Sequence, residues 1–245
     1  MVDIHCHILP GVDDGAETLA DALEMAYLAA SCGVTDLAAT PHVRGDAEGL
    51  VQASRLDHAF RQLEASIIQE KIPLRLHPGA EILCTDETVN LAREGKLPAI
   101  GNTNYVLCEF FFHARFSEMD EILEGITQAG YRPIVAHPER YSAIRKDPRR
   151  ILHWFRSGYV IQVNKGSLLG AFGAQVQNTA CWLLETGLIH LVASDAHSPI
   201  RRTTDLTRLE DWLLSQYPQG YVRLLLEENP GRVIRGEEMA PVQPS

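Results

Sequence analysis

The chain has 245 residues, a formal net charge of -10 and an apolar fraction of 45%. This length and composition predict one α/β domain with a sizeable core. The acidic balance, without a basic stripe, argues against nucleic-acid binding. No apolar run approaches the length of a membrane span, and the first residues lack the pattern of a cleaved leader, so we expect neither feature.

The cysteines are odd in number, widely spaced and form no C-x-x-C pair; they are Cys6, Cys32, Cys84, Cys108 and Cys181. This usage favours a reducing cytoplasm over a disulfide framework. None of the five begins a C-x₅-R loop, so phosphatase chemistry through a phosphocysteine is excluded. We expect a cytoplasmic protein with one domain over residues 1–240 and a flexible tail at 241–245.

Strand-like and helix-like segments alternate along the chain. Strands are predicted at residues 2–4, 36–40, 74–77, 105–112, 133–136, 159–163 and 190–193. Helices are predicted at residues 17–32, 48–70, 86–94, 117–129, 148–157, 174–186, 206–216 and 221–228. Strands separated by helices indicate a parallel sheet. Seven such units are one short of a standard barrel, so the sequence predicts a distorted, seven-stranded (β/α) barrel.

Candidate metal ligands follow these strands. His5 and His7 come at the end of the first strand, where alternate side chains share a face and can reach one ion. Residues of similar type end or follow later strands: His42, Glu81, Glu109, His137, Asp195 and His197. At the carboxyl ends of parallel strands, such side chains form the catalytic cup of a β/α barrel. The sequence therefore predicts a metalloenzyme.

Glu109 is the strongest single candidate, because it interrupts the apolar run 105–112, where a buried, unpaired carboxylate is costly. A salt bridge to an arginine is the alternative. Glu81 occupies a similar position, with an exposed turn as its alternative. In the glycine-flanked loop at 11–15, we interpret Asp13 as an ordinary turn residue and keep Asp14 as a candidate ligand. Four other histidines are interpreted as structural or surface residues: His58, His77, His153 and His190.

Imidazoles and carboxylates without thiolates suit Mn²⁺, Fe or Zn²⁺. Nine candidate ligands are too many for one ion, so a cluster of two or three ions is expected. Such clusters hold a bridging hydroxide for in-line attack at phosphorus, which favours phosphate ester hydrolysis. Arg140, with Arg201 and Arg202, lies close in sequence to proposed ligands, and a guanidinium matches phosphoryl oxygens in a bidentate way.

Residues 3–16, DIHCHILPGVDDGA, closely resemble the opening of the bacterial PHP-domain (polymerase and histidinol phosphatase) protein tyrosine phosphatases. These manganese-dependent enzymes are encoded with capsule and exopolysaccharide genes. The similarity continues through TPH at 40–42, GAE at 79–81, EF at 109–110, AHPERY at 136–141, QVN at 162–164 and ASDAH at 193–197. It extends over residues 2–235.

The resemblance implies a TIM-like, distorted seven-stranded PHP barrel that holds three ions. The first ion would be held by His5, His7, Glu81 and Asp195, the second by Glu81, Glu109 and His137, and the third by Asp14, His42 and His197. Arg140 would bind the phosphate together with Arg202, or with its neighbour Arg201. The implied substrate is phosphotyrosine on a cognate bacterial tyrosine kinase, whose dephosphorylation regulates polysaccharide export.

The chain departs from the family pattern in two places. Cys6 stands where serine is frequent, and the segment 43–46, which borders the expected site, is short. The second departure leaves substrate choice less well defined than the metal chemistry. Three alternatives remain open: a small-molecule phosphatase such as histidinol phosphate phosphatase, an amidohydrolase-type deaminase, and a non-catalytic scaffold.

Overall fold

The computed structural model describes residues 1–242, and the side chains of all of these except residues 50 and 53–55. Nine strands are present in the described chain: β1 (Val2–Cys6), β2 (Asp36–Ala39), β3 (His42–Arg44), β4 (Arg75–Pro78), β5 (Glu81–Leu83), β6 (Tyr105–Glu109), β7 (Arg132–Ala136), β8 (Val160–Asn164) and β9 (Leu191–Ala193). They form two sheets, in the orders β1-β2-β4 and β3-β5-β6-β7-β8-β9, and every pairing is parallel. The fold is therefore α/β with parallel sheets.

Two of the predicted strands are interrupted and continue in the second sheet. β2 is followed after two residues by β3, and β4 is followed after two residues by β5. Pro41, in the first interruption, has no N–H to donate to a ladder, but its carbonyl oxygen accepts a 3.0 Å hydrogen bond from the Glu81 N–H. The prediction of exposed turn geometry as an alternative for Glu81 is wrong, because this residue begins β5 and is buried.

Backbone hydrogen bonds connect β1 with the segment that follows β9. The Asp195 N–H donates to the His5 carbonyl at 2.9 Å, and the His7 N–H donates to the Ala196 carbonyl at 2.9 Å. Cys6 and Ala196 form an isolated parallel bridge. The first and last strands therefore lie side by side.

The core has two layers because alternate strand residues point to opposite faces. On one face lie side chains such as Leu107, Ile134 and Leu191, and on the other face the strands pack against helices. Glu109 continues the face of Leu107 along β6, so it lies at the end of the first layer. The predicted extension of this strand to residue 112 is wrong. β6 ends at Glu109, and Phe112 beyond it is 41% exposed.

Eleven α-helices surround the sheets in the described residues: α1 (Leu19–Ser31), α2 (Ala47–Gln69), α3 (Asp86–Arg93), α4 (Phe116–Gln128), α5 (Ser142–Lys146), α6 (Ile151–Arg156), α7 (Lys165–Leu168), α8 (Ala174–Glu185), α9 (Thr207–Gln216), α10 (Gln219–Arg223) and α11 (Asn229–Arg235). The predicted helix at 148–157 begins as a 3₁₀ turn, and the one at 221–228 belongs to a continuous run from 219 to 235 that includes a π turn. The short helices α5 and α7 were not predicted.

None of the helices in residues 1–242 combines the length and apolar character needed to cross a bilayer. Of the predicted tail at 241–245, residues 243–245 lie outside the described chain.

Candidate metal centre

The structure brings all nine predicted ligands together, at or after the carboxyl ends of β1, β2, β4, β6, β7 and β9. Two of them, His42 and Glu81, are also the first residues of β3 and β5. The nitrogen and oxygen atoms of the nine form four overlapping groups, and within each group the atoms lie within 4.8 Å of one another. The groups are His7, Asp14, His42 and His197; His5, His7 and Glu81; His5, His137 and Asp195; and His42, Glu81 and Glu109. Adjacent groups share His5, His7, His42 or Glu81, so the four form one continuous cluster of donors able to bind metal.

Glu81 lies at the centre of this arrangement and is 1% exposed. Its Oε1 lies 2.8 Å from His137 Nε2, and its Oε2 lies 3.1 Å from His42 Nδ1. It also approaches His5 and His7, each at 3.3 Å. Oε2 is buried and makes no hydrogen bond of good geometry, although the nitrogens of His42 and His7 lie 3.1 and 3.3 Å from it. A buried carboxylate oxygen of this kind is costly unless a cation completes it.

The ring orientations of three of the five histidines fit metal ligation. His5 Nδ1 lies 2.9 Å from Gln162 Oε1, and His7 Nδ1 lies 2.8 Å from Asp13 Oδ2. His197 Nδ1 lies 3.1 Å from the Asp195 carbonyl oxygen. With these Nδ1–H groups donating to oxygen, each Nε2 carries its lone pair toward the cluster. Metal-ligating histidines are usually oriented in this way.

Asp13 has a larger part in the site than its interpretation as a turn residue allowed. Its Oδ2 accepts from His7 Nδ1 and, at 3.0 Å, from the backbone N–H of His42. Gly15 makes this possible, because a Cβ there would lie 2.0 Å from the His7 carbonyl oxygen. Only a residue without a side chain allows the loop to fold so closely over β1.

The outer part of the centre is open to solvent. The side chains of Asp14 and His42 are 68% and 39% exposed, and Asp14 Oδ1 lies 3.5 Å from His42 Nε2. The same oxygen lies 3.5 Å from His197 Nε2. This trio corresponds to the third ligand set that the resemblance implies. The first set is divided here, because His137 groups with His5 and Asp195 while it also contacts Glu81.

Burial and close charges perturb several pKa values. Burial would lower the pKa of His5, but the Glu81 and Asp195 carboxylates raise it to about 9. Burial would raise the pKa of Glu81, but the surrounding histidines, His5 foremost, hold it well below its usual value. The pKa of Glu109 is raised by burial and by the charge of Glu81. His5 is thus held protonated by the neighbouring carboxylates. A bound cation would take the place of this proton.

Two arginines border the same cavity. The cavity has a volume of about 320 Å³, and its lining includes Arg140, Arg202 and the aromatic residues 110–112. Arg140 Nη1 lies 3.5 Å from Asp195 Oδ2, and Arg202 Nη2 forms an ion pair with the same oxygen. Arg201 is exposed and borders a neighbouring cavity. Of the two neighbouring arginines, Arg202 and not Arg201 lines this cavity together with Arg140.

Two further polar residues of the site lie on β8. Gln162 and Asn164 are fully buried on the same strand face, and Asn164 Nδ2 donates to Asp195 Oδ2. The Gln162 amide Nε2 donates to Asn164 Oδ1 at 2.7 Å. This hydrogen bond fixes the orientation of both side-chain amides. The alternation of polar residues in a buried strand was the signal that could have identified them.

Left-handed backbone conformations occur at the centre. His137, Asp195 and Arg202 have φ values of 35°, 49° and 49°. Such conformations cost energy in residues with a side chain and concentrate at functional sites. In the Arg202 turn the carbonyl accepts a 2.9 Å hydrogen bond from His197, which ties the arginine to a candidate ligand.

Three of the other histidines have structural contacts. His77 Nε2 lies 2.9 Å from Asp36, and His153 Nε2 lies 3.1 Å from Asp120. His190 Nδ1 accepts from the Ile161 N–H at 3.0 Å, and burial lowers the pKa of His190 to about 4.

Comparison with known proteins relates this centre to one family. The family described as "Capsular polysaccharide synthesis, CpsB/CapC" matches residues 1–235. The chain belongs to this family. It is 35% identical to tyrosine-protein phosphatase YwqE of Bacillus subtilis, with 100% of this chain and 96% of the relative covered. It is 27% identical to tyrosine-protein phosphatase CpsB of Streptococcus pneumoniae, with 96% and 98% covered.

Solved structures agree with this assignment. Crystal structures of YwqE from Bacillus subtilis and CpsB from Streptococcus pneumoniae describe both as unique metal-dependent tyrosine phosphatases. A chain from these structures superposes on the present one with a TM-score of 0.86 at 34% identity. The match covers 100% of this chain and 99% of that one. Dihydropyrimidinase from Brevibacillus agri superposes with a TM-score of 0.56 at 11% identity, covering 100% of this chain and 73% of the other, and shows a shared fold alone.

Proposed function

We propose that the protein is a metal-dependent phosphotyrosine-protein phosphatase. The observation that carries the proposal is the convergence of nine candidate imidazole and carboxylate ligands, Glu81 among them, with Arg140 and Arg202 on the same cavity. The full-length similarity to proteins named tyrosine-protein phosphatases supports the same activity.

The residues fit a cluster of two or three ions. His5, His7 and Asp195 would bind the ions at the buried positions, and Asp14 and His197 would bind an ion at the exposed position. The other four candidate ligands lie between these positions: His42, Glu81, Glu109 and His137. The mixture of nitrogen and oxygen donors suits Mn²⁺, and also Fe or Zn²⁺. When bound, such ions would activate water and offset charge on the phosphoryl group.

The remaining groups of the chain bind and orient the substrate. The guanidinium groups of Arg140 and Arg202 point into the cavity from two sides of Asp195, where they would hold phosphoryl oxygens through charge-assisted hydrogen bonds. Phe110, Phe111 and Phe112 line the same cavity and offer an apolar wall for a tyrosyl ring. A preorganised pair of cations of this kind stabilises charge that develops during phosphoryl transfer.

Several finer points belong to the same proposal. The substrate would be a phosphotyrosine protein, a bacterial tyrosine kinase of a capsule or exopolysaccharide system, as the family description suggests.

Residues 1–240 would form one domain, in which the two sheets close into a distorted barrel with seven strand positions. The hydrogen bonds between β1 and the segment after β9 support that closure. All five cysteines are free thiols, which supports a cytoplasmic location.

The decisive experiment combines metal removal with two substrates. Protein stripped of metal and then given Mn²⁺ is assayed on a phosphotyrosine peptide and on histidinol phosphate, with elemental analysis of each sample. We expect turnover of the peptide to depend on Mn²⁺ and to exceed that of histidinol phosphate. Preference for histidinol phosphate would favour the small-molecule alternative, and metal-loaded protein without activity on either would favour a scaffold.

A further inference from the structure

We infer that Phe172 is a positioning residue that holds the guanidinium groups of Arg140 and Arg202 in place for a phosphoryl group. The Arg140 Cζ lies 4.7 Å from the centre of the Phe172 ring, and the Arg202 Cζ lies 5.6 Å from it. One aromatic ring therefore contacts both arginines of the cavity. The inference rests on the proposed function, in which both arginines bind the phosphoryl group of the substrate.

The Arg140 guanidinium lies over two aromatic rings. Its Cζ lies 4.4 Å from the ring centre of Phe112, besides the 4.7 Å contact with Phe172. A guanidinium that stacks on aromatic rings keeps its N–H donors in its own plane, directed to the edges. In this structure Arg140 Nη1 lies 3.5 Å from Asp195 Oδ2, on the cavity side. The stacking therefore restricts the directions in which Arg140 can donate.

Phe172 also reduces the cost of placing two like charges near one another. Arg140 and Arg202 both approach Asp195 Oδ2, a single carboxylate oxygen. The face of an aromatic ring carries partial negative charge and attracts cations within about 6 Å. A leucine of similar size would fill the space and lack this attraction.

The ring itself is fixed by the backbone that follows β8. A Cβ at Gly166 would lie 2.8 Å from a carbon of the Phe172 ring, so the ring packs directly on that glycine. The Ala171 N–H donates to the Gly166 carbonyl at 2.8 Å and closes the loop between them. This loop follows Asn164, whose side chain donates to Asp195. The ring is thus connected to the site through a short, hydrogen-bonded segment.

The test measures phosphate binding to Mn²⁺-loaded protein by calorimetry, with kinetics on a phosphotyrosine peptide and metal analysis beside it. In F172L we expect phosphate affinity to fall roughly 3- to 30-fold and KM to rise, with metal content unchanged. F172Y and F172W keep an aromatic face and should restore most of the affinity. G166A, which displaces the ring without removing it, should weaken phosphate binding in the same direction.

F116L is the matched control, because Phe116 also lies under an arginine, Arg150 at 5.3 Å, outside the cavity. Its phosphate affinity should equal that of the unmodified protein. Unchanged affinity in F172L, or equal loss in F172L, F172Y and F172W, would overturn the inference, as would an unmodified protein that binds no phosphate. Phosphate binding that depends on Phe172 without turnover of the peptide would instead retain the inference and refute the proposed activity.

Discussion

Under the proposed function, Glu109 would hold ions and Arg140 would hold phosphate. Glu109 ends β6 with Oε2 3.5 Å from His42 Nδ1 and Oε1 3.6 Å from His137 Nε2. Among the side chains that the structure describes, its ion partners are these histidines, rather than the arginine of the alternative interpretation. Glu109→Gln removes one negative charge from the ligand set. We expect reduced metal content by elemental analysis and activity lowered by more than about 100-fold, with circular dichroism unchanged.

Arg140→Ala is the matched comparison. It should retain full metal content, because Asp195 keeps its contacts with Asn164 and Arg202. Its rate should fall by roughly 100- to 1,000-fold through the loss of a charge-stabilising donor. A Glu109→Gln protein with full metal and full turnover would contradict the ligand assignment, and unchanged kinetics in Arg140→Ala would remove this residue from phosphate binding.

At single positions, the sequence identified residues whose type conflicts with their surroundings. Glu109 and His137 stood out because polar side chains followed apolar runs, and the structure brings both to one centre. Asp13 was missed because aspartate is ordinary in a glycine-flanked turn. Its contact with His7 depends on the path of the loop over β1, which residue type alone does not encode. Phe172 was missed for the same reason.

Asp36 connects β2 with β4 at the amino-terminal ends of these strands, opposite the end that carries the metal centre. Its carboxylate accepts hydrogen bonds from Arg75 Nε and Nη2 at 2.8 Å and from His77 at 2.9 Å. Burial would raise the pKa of Asp36, but these donors hold it far below its usual value. A lowered pKa stabilises the fold above the pKa of the unfolded state, near 4, and this stabilisation is lost as pH falls.

Asp36→Asn should therefore lower the free energy of unfolding by about 1–3 kcal/mol at pH 7, measured by urea denaturation. The difference from the unmodified protein should narrow below about pH 4. Asp57→Asn is the control, because Asp57 pairs with Arg61 on an exposed helix surface and should change stability by less than about 1 kcal/mol. A pH-independent difference at Asp36 would contradict the ionic explanation.

Sequence periodicity predicted the presence of helices and strands more accurately than it predicted their first and last residues. The long helices α1, α2 and α8 agree with their predicted ranges to within two residues, because their apolar spacing is regular. The three-residue strands β3 and β5 were missed because each is too short to show periodicity. β9 is equally short but was predicted because all three of its residues are apolar. β3 and β5 each follow a strand of the first sheet after two residues, and the two pair with each other in the second sheet.

For the molecule as a whole, bound ions should contribute to stability. The centre gathers four carboxylates and five imidazoles, several of them buried. Ions that bind only the folded state stabilise it by mass action. Removing Mn²⁺ with a chelator should lower the melting temperature by roughly 5–10 °C, measured by differential scanning calorimetry. Glu109→Gln, with fewer ions to lose, should show a smaller shift, and an identical melting temperature with and without metal would contradict the expectation.

Membership of the family was predicted from residues 3–16 and is confirmed by the match over residues 1–235. A fold class with parallel sheets was predicted correctly from the alternation of strands and helices. Sequence periodicity could not give the division into sheets of three and six strands, because it depends on which edges pair in space.

The pairing of the first strand with the segment after the last has a consequence for synthesis of the protein. Ser194 Oγ donates to the His5 carbonyl, across 189 positions of the chain. Contacts between such distant positions form late, because a long loop must close first. A nascent polypeptide on the ribosome can therefore gather His5, Asp195 and Arg202 only after nearly all of it has emerged. A product that ends before Asp195 lacks both this segment and part of the candidate metal centre.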